Sequence, residues 1–146
     1  MAAYTADNFL QLPHNGVYGN KSTQYGVYTL GTGNAQLDTI DLVKIPGGGR
    51  ITNGFIAVAT AVSTATVAIG VRYADGTSTG GTTGTAVLAA TLVLTTALTQ
   101  QALNNFVPFI NDVDTIVYAT LISPGFVSGA GIALVGVVDY IAEGTK

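Results

Sequence analysis

The sequence contains no cysteine and no tryptophan, a single histidine and few charged residues. Without cysteine there is no disulfide framework, thiolate metal site or cysteine nucleophile. Charged side chains make up 9% of the 146 residues, against about 25% in an average soluble protein, whereas 48% are hydrophobic. This balance excludes intrinsic disorder, which needs high charge and few apolar residues, and a coiled coil, which needs charged residues beside its apolar seam.

Neither a nucleic acid nor a membrane is expected as a partner. The net charge is −3 and the five basic residues are scattered, whereas nucleic-acid binding needs clustered Lys and Arg. No run of about 18 apolar residues is present, so we expect no membrane-spanning helix. The first residues lack the basic start and apolar run of a signal peptide, and we expect the chain to fold first in a cytoplasm.

No group of residues has the pattern of a catalytic, metal or cofactor site. His14 lies between Pro13 and Asn15 with no carboxylate pair nearby, which favours a turn residue over a catalytic base. The pairs Asp112/Asp114 and Asp38/Asp41 have the chemistry for acid–base work or for binding Ca²⁺. For Asp112 and Asp114, a turn in which the side chains cap backbone N–H groups explains the pattern equally well. Two glycine-rich runs are present, at residues 31–33 and 46–49. Neither precedes a predicted helix, whose N-terminus a phosphate site requires. We predict no enzyme activity, no cofactor and no metal.

What is abundant is Gly, Thr, Val and Ala, a composition that favours strands and turns. Residues 66–73 alternate between an apolar and a more polar face, which is typical of a half-exposed strand. Gly54 suggests a bulge, and Asp75-Gly76 a turn. The Gly/Thr/Ser tract 76–85 is expected to be an exposed, flexible loop. Further strands are predicted at 37–45, 50–60, 91–96, 106–110, 115–123 and 130–141.

These signals predict an all-β fold, an antiparallel β-sandwich of about eight strands of the jelly-roll type. Residues 1–34 differ from the rest, and we interpret them as an extended aromatic-rich N-terminal arm, with the β-sandwich domain at 35–146. Within this segment, residues 25–30 have the pattern of a strand. The alternative is an arm that wraps its own domain. In the first interpretation the arm binds a partner through its aromatic rings: Tyr4, Phe9, Tyr18, Tyr25 and Tyr28.

Three predicted strands are apolar on both faces, namely 56–62, 116–122 and 132–138. An antiparallel sheet in a monomer normally wets one face. Two apolar faces need two covers, so we expect the second face to be buried in an oligomer. The alternative is that Ala and Thr make the outer face only weakly apolar.

Two segments carry a resemblance to a known family. Residues 42–51 read LVKIPGGGRI, and residues 67–76 read VAIGVRYADG. With Pro108-Phe109 and the closing Asp139-Tyr140, these strand-and-turn units resemble the small β-sandwich virion proteins of tailed bacteriophages, of the capsid cement or decoration type. The similarity extends over residues 37–141 and contains no catalytic motif.

The resemblance implies a non-enzymatic structural protein located in the virion. Its expected partners are copies of itself, as a homotrimer, and the major capsid protein. The alternative is a tail or fibre β-domain that binds a host carbohydrate or receptor through aromatic side chains. The absence of tryptophan, a favoured platform for sugars, argues against that alternative.

Overall fold

The computed structural model describes residues 1–9, 19–31, 33–59, 66–76, 89–94, 100–103, 113–123, 131 and 133–143. Within these ranges the chain forms strands and turns and no helix. None of the described residues belongs to a helix long and apolar enough to cross a bilayer. The nine strands are β1 (Ala3–Thr5), β2 (Lys21–Thr29), β3 (Thr39–Ile45), β4 (Gly49–Val58), β5 (Thr66–Tyr73), β6 (Ala89–Val93), β7 (Gln101–Ala102), β8 (Thr115–Leu121) and β9 (Ala133–Ala142).

The strands form two packed sheets. One sheet has the order β1-β3-β8-β5-β6 and the other β2-β9-β4-β7. All neighbours are antiparallel except β1 and β3, which are parallel. The eight strands β2 to β9 supply four to each sheet in the jelly-roll arrangement, and β1 extends one edge. The predicted all-β sandwich is therefore confirmed.

Local sequence explains the strand ends. After β3 the chain turns at Pro46, where the Gly49 N–H donates to the Pro46 carbonyl and Gly48 has a φ of 79°. After β5 it turns at the predicted Asp75-Gly76, where Gly76 has a φ of 81°. Glycine adopts this left-handed conformation without steric cost, which is why both turns contain it.

The core lies between the two sheets and consists of the alternate residues that face inward. In β9 these are Leu134, Val138 and Tyr140, each no more than 1% exposed. The inward face predicted for β5 is confirmed for Val67, Ile69 and Val71, which are buried. The opposite face is not exposed as predicted, because Ala68 and Gly70 are buried as well. The other large members of the core are Leu30, Ile40, Leu42, Val43, Ile45, Ile51, Ile56, Val58, Leu92, Leu94, Leu103, Val117 and Leu121.

The sheets come closest where β3 has a bulge. The register between β3 and β8 shifts between Asp41 and Val43, which leaves Leu42 directed at the opposite sheet. There it lies over Gly26 and Gly136, which face each other across β2 and β9. A Cβ on Gly26 would lie 2.0 Å from the Leu42 carbonyl oxygen, and one on Gly136 would lie 2.7 Å from Leu42 Cδ1. Glycine at both positions therefore makes the contact possible.

Gly54 does not form the predicted bulge. The register between β4 and β9 shifts two residues earlier, between Ile51 and Asn53. Gly54 instead pairs with Val138 and is closely covered, because a Cβ there would lie 2.6 Å from Leu103 Cδ1. Glycine in a strand marks either a bulge or a close approach, and here it marks the approach.

The first nine residues tie the two sheets together. β1 pairs with Thr39–Asp41 of β3, and the next residue, Ala6, donates its N–H to the Asp41 carbonyl. The following N–H, of Asp7, donates to the Val27 carbonyl at the edge of β2. The described parts of the predicted arm, β1 and β2, thus pair with strands of the predicted domain. The boundary between residues 34 and 35 stays a prediction.

Several predicted segments lie outside the described residues. They include the strand at 106–110, residues 77–85 of the flexible loop, and the residues His14, Tyr18 and Asp112.

Candidate interaction surface

The outer face of the four-stranded sheet carries six apolar side chains in two neighbouring rows. The pairing registers place Val27, Val135 and Ala57 in one row across β2, β9 and β4. Tyr25, Val137 and Phe55 form the next row. We call these six residues the apolar grid. Five of them are partly buried and Tyr25 is 55% exposed, so the whole set is open to solvent to some degree.

The rows of the grid are in register because β2 and β9 pair regularly at this point. The β2–β9 pairing runs without a shift from Lys21 to Thr29. The inward residues of the same strands fill the core, so the strands cannot rotate to bury the grid. The two-faced apolar pattern of residues 132–138 thus has one face in the core and the other on this surface.

Polar groups border the grid at one end. The next row holds Thr23, Asp139 and Asn53. Lys21 Nζ lies 2.8 Å from Asp139 Oδ2, and the Thr23 hydroxyl donates to Asp139 Oδ1 at 2.6 Å. Partial burial opposes ionisation of Asp139, but the bonds from Lys21 and Thr23 outweigh it and lower the pKa of this carboxyl. The border is therefore charged but internally paired.

Asn8 holds the Tyr25 end of the grid in place. Its side-chain amide donates to the Tyr25 carbonyl at 2.7 Å, and its amide oxygen accepts from the Val27 N–H at 2.9 Å. These two bonds satisfy backbone groups at the edge of β2, which an edge strand otherwise leaves open. The exposed Tyr25 ring thus projects from a backbone that is already fixed.

Of the predicted partner-binding residues, the structure brings Tyr4 and Tyr28 together and leaves Tyr25 apart. The rings of Tyr4 and Tyr28 are 5.7 Å apart, and both pack against the core. The Tyr4 hydroxyl donates to the Gly33 carbonyl, and Asn34 donates to the Tyr28 hydroxyl. Burial, followed by nearby Asp38, raises the pKa of Tyr4. This pair holds the segment after β2 against the sandwich. Phe9, another of the predicted residues, is partly buried.

The outer face of the five-stranded sheet is occupied by a stacked polar cluster. Tyr118 of β8 lies on Gly70 of β5, where a Cβ would be 2.8 Å from the Tyr118 hydroxyl. The Arg72 guanidinium carbon lies 5.3 Å from the Tyr118 ring centroid. Arg72 Nη2 also donates to both carboxylate oxygens of Asp41, at 2.6 and 2.7 Å. Burial raises the pKa of Asp41, and Arg72 opposes this rise.

The remaining candidate carboxylates among the described residues organise turns, which for Asp114 is one of the two sequence interpretations. Asp38 accepts from the backbone N–H groups of Ala2 and Ala35, and these bonds lower its pKa. Asp114 accepts from Lys44 and from the Gly47 N–H, and both lower its pKa. The described residues contain no group of three His, Asp or Glu side chains that would hold a metal ion.

Sequence reasoning found part of this surface. The two-faced pattern pointed to β9, and the aromatic count pointed to Tyr25. It missed Phe55 and Val27, because only the pairing register places them beside Val137 and Val135. It also missed the cluster of Asp41, Arg72 and Tyr118, whose members come from three strands far apart in the chain.

Solved structures of phage capsids contain chains with this fold. A chain in the capsid of Ralstonia phage GP4 has a TM-score of 0.75 and 18% identity, over 99% of this chain and 100% of that chain. A chain in the acidic stable capsid of Helicobacter pylori bacteriophage KHP30 has a TM-score of 0.56 and 15% identity, over 87% and 91%. For the cyanophage Pam1 capsid the values are 0.52 and 17%, over 89% and 90%.

No protein-family model matches the sequence, and no curated protein matches it. At identities of 15–18% the similarity to the capsid chains establishes the fold. The expected resemblance to β-sandwich proteins of phage virions is therefore confirmed as a likeness of fold.

Proposed function

We propose that this chain is a structural protein of a bacteriophage virion, a decoration or cement protein that binds the head as an oligomer. The observation that carries the proposal is the match to the phage GP4 capsid chain, which covers 99% of this chain and 100% of that chain. The likeness therefore spans the full extent of both sequences compared. A sandwich of this size suits an accessory subunit added to a shell.

The apolar grid is the surface we propose for contact between copies of the chain. Tyr25 is 55% exposed in the single chain. Burial of roughly 100 Å² of this ring at about 25 cal/mol per Å² would contribute about 2.5 kcal/mol before the cost of association. The four neighbouring partly buried apolar side chains and Ala57 add to this. We propose a homotrimer, the oligomeric state that the resemblance implies, in which every copy buries equivalent surfaces around one axis.

Of the aromatic residues expected to bind a partner, we propose that Tyr25 makes the contact. Tyr4 and Tyr28 pack on each other and on the core, so their rings are less available to a neighbour. The second proposed partner is the major capsid protein, which the oligomer would bridge. The reaction chemistry of an enzyme has no part in this proposal.

The copy number per virion tests the proposed location. Purified virions of the encoding phage are digested, and this chain is quantified against the shell protein by mass spectrometry with labelled standards. A head decoration protein is expected in hundreds of copies. A handful of copies would contradict the proposal and favour the alternative, a tail or fibre domain that binds a host carbohydrate or receptor.

The oligomeric state tests the proposed self-association. Light scattering of the purified chain at micromolar concentration is expected to give three times the chain mass. A monomer at that concentration would contradict self-association through the grid. A monomer that still coats shells lacking the protein would retain the decoration role and move the association step onto the shell.

A further inference from the structure

Leu37 has a backbone conformation that a leucine rarely adopts. Its φ is 69°, and among the described residues it has the one positive φ outside glycine. This left-handed region brings Cβ close to backbone oxygen, and a bulky residue there is an outlier where glycine or asparagine is expected. The Leu37 side chain is also 49% exposed. The backbone strain costs the isolated chain stability, and a side chain that is half open to solvent offsets little of that cost by burial.

The surrounding bonds impose this conformation. The Leu37 N–H donates to the Leu121 carbonyl at 2.7 Å, and the Gln36 side chain donates to the Ile122 carbonyl at 2.7 Å. The next residue, Asp38, is 3% exposed and accepts from the Ala2 and Ala35 N–H groups. Strain that its neighbours over-determine in this way clusters at functional sites.

Leu37 forms one end of a groove on the outer face of the five-stranded sheet, with a volume of about 340 Å³. Met1 and Ile122 lie at the same end, and the groove runs past Thr120 to Tyr118 and Arg72. From Ile122 to Tyr118 is four residues of strand, or about 13 Å. We call this surface the Leu37 groove. Its length suits an extended segment of a few residues.

Arg72 gives the groove its charge. Its guanidinium is held by stacking on Tyr118 and by Asp41, and its side chain is still 39% exposed. Asp41 lies below it and is 8% exposed, so the accessible charge of the groove is positive. The hydrogen bonds to Asp41 both use Nη2, so Nε and Nη1 take no part in this pair. A pre-held arginine loses little side-chain entropy when it binds a carboxylate.

We propose that the Leu37 groove binds an extended segment of the shell protein that carries an apolar side chain and a carboxylate. The apolar side chain packs on Leu37, and the carboxylate pairs with Arg72. This inference rests on the proposed decoration function and names the surface that attaches the chain to the shell. The charge of Arg72 selects an acidic segment, and the groove lies on the other sheet from the apolar grid assigned to contact between copies.

The test is binding to shells of the encoding phage assembled without this chain, measured by co-sedimentation. Leu37→Asn relieves the strain, because asparagine tolerates this backbone region, and removes the apolar contact. We expect it to melt at or above the wild-type temperature and to bind shells at least tenfold more weakly. A variant that is no less stable yet binds worse is the signature of a residue kept for a partner.

A second variant tests the charge without leaving a buried carboxylate alone. The double change Arg72→Gln with Asp41→Asn keeps the net charge and a hydrogen-bonding pair. We expect weaker binding and a loss of the salt dependence shown by the wild type. The matched control is Lys44→Gln, which removes a cation on the same face whose residue does not line the groove; it should bind like the wild type.

The outcomes distinguish failure of the proposed decoration function from failure of the proposed role of the Leu37 groove. If the wild type does not bind the shells, the decoration function is wrong and the groove loses its proposed occupant. If the wild type binds, and both variants bind within twofold of it, the function stands and the groove assignment is wrong. If Leu37→Asn prevents trimer formation but the variant monomer binds shells as tightly as the wild type does, the groove instead binds a second copy of the chain.

Discussion

The two outer faces of the sandwich differ in how their apolar residues are shielded from solvent. Both belong to strands with apolar residues on either side, β8 in one sheet and β9 in the other. On the five-stranded sheet the chain covers the centre of β8 itself, with Tyr118 on Gly70 and Arg72 on Tyr118. On the four-stranded sheet the apolar grid around β9 has no comparable cover among the described residues.

The difference shows that a strand with two apolar faces must bury both of them. The sequence pattern does not show whether the same chain or another subunit buries the second face. One glycine and one arginine suffice to cover β8 from within, because the small residue lets a large ring lie flat on the sheet. The equivalent glycine in β9, Gly136, faces inward and makes room for Leu42. The space that it creates is therefore used in the core, and the outer face stays available to another subunit.

The largest expected effect concerns the sheet contact on which both outer faces depend. Gly26→Ala places a Cβ against the Leu42 backbone, which cannot move without shifting β3, and we expect a loss of about 3 kcal/mol or more. Gly136→Ala meets the flexible end of the Leu42 side chain, and we expect a loss of about 1–2 kcal/mol. Urea unfolding of the two variants measures the difference. Equal losses would contradict the assignment of backbone and side-chain obstacles.

The next effect separates the open face from the closed one. Tyr25→Ser with Val137→Ser is expected to weaken self-association by about tenfold to a hundredfold, as loss of a central aromatic contact does, with a melting temperature close to that of the wild type. Val93→Ser is the matched control, because Val93 is an exposed valine of the five-stranded sheet. Analytical ultracentrifugation across a dilution series gives both dissociation constants. A trimer unaffected by the double change would exclude the grid as the interface.

A smaller effect tests the internal cover of β8. Gly70→Ala pushes against the far end of the Tyr118 ring, and we expect a loss of about 1–2 kcal/mol because Arg72 restricts the ring's movement. In Tyr118→Ala the added methyl group has room, so the two changes together should cost less than their sum. Chemical unfolding of the single and double variants closes the cycle. Strict additivity would mean that the ring does not lie on Gly70 in solution.

The smallest effects come from one lysine on each face. Lys21→Met and Lys44→Met remove partners of Asp139 and Asp114, and exposed ion pairs of this kind contribute about 0.5 kcal/mol. Both carboxyls have a pKa below the ordinary 3.8 in the folded chain. Their contribution is therefore complete above pH 3.8 and declines as the pH falls through the folded pKa. Thermal melts from pH 7 downwards should show a constant difference between each variant and the wild type above pH 3.8, and a shrinking difference as the pH falls below it.

Much of the fold was predictable because its signals are local. Alternation in residues 66–73 gave β5 with its exact bounds in the structure, Thr66–Tyr73. The turns at Pro46 and Gly76 follow from residues whose backbone preferences do not depend on distant contacts. The bulge was misplaced at Gly54, because glycine signals either a bulge or a close approach and the sequence does not distinguish them.

The candidate surfaces were predictable only in part. Tyr25 is exposed, but Tyr4 and Tyr28, which look the same in the sequence, pack on each other. Their difference arises because Tyr28 lies on the inward side of β2 and Tyr25 on the outward side, and a strand's facing depends on its partners. Leu37 has no sequence signal at all, since nothing in Gln36-Leu37-Asp38 requires a positive φ.

The sequence by itself determined that this protein is built of strands, that they end where glycine and proline permit turns, and that some strands are apolar on both sides. These properties follow from side-chain branching, backbone freedom and a period of two residues. Only the tertiary structure decided which strands pair, that Leu42 enters the space above two glycines, and which outer face the chain covers with its own side chains. Those outcomes depend on contacts between residues far apart in the chain, whose geometry exists only once both sheets are packed.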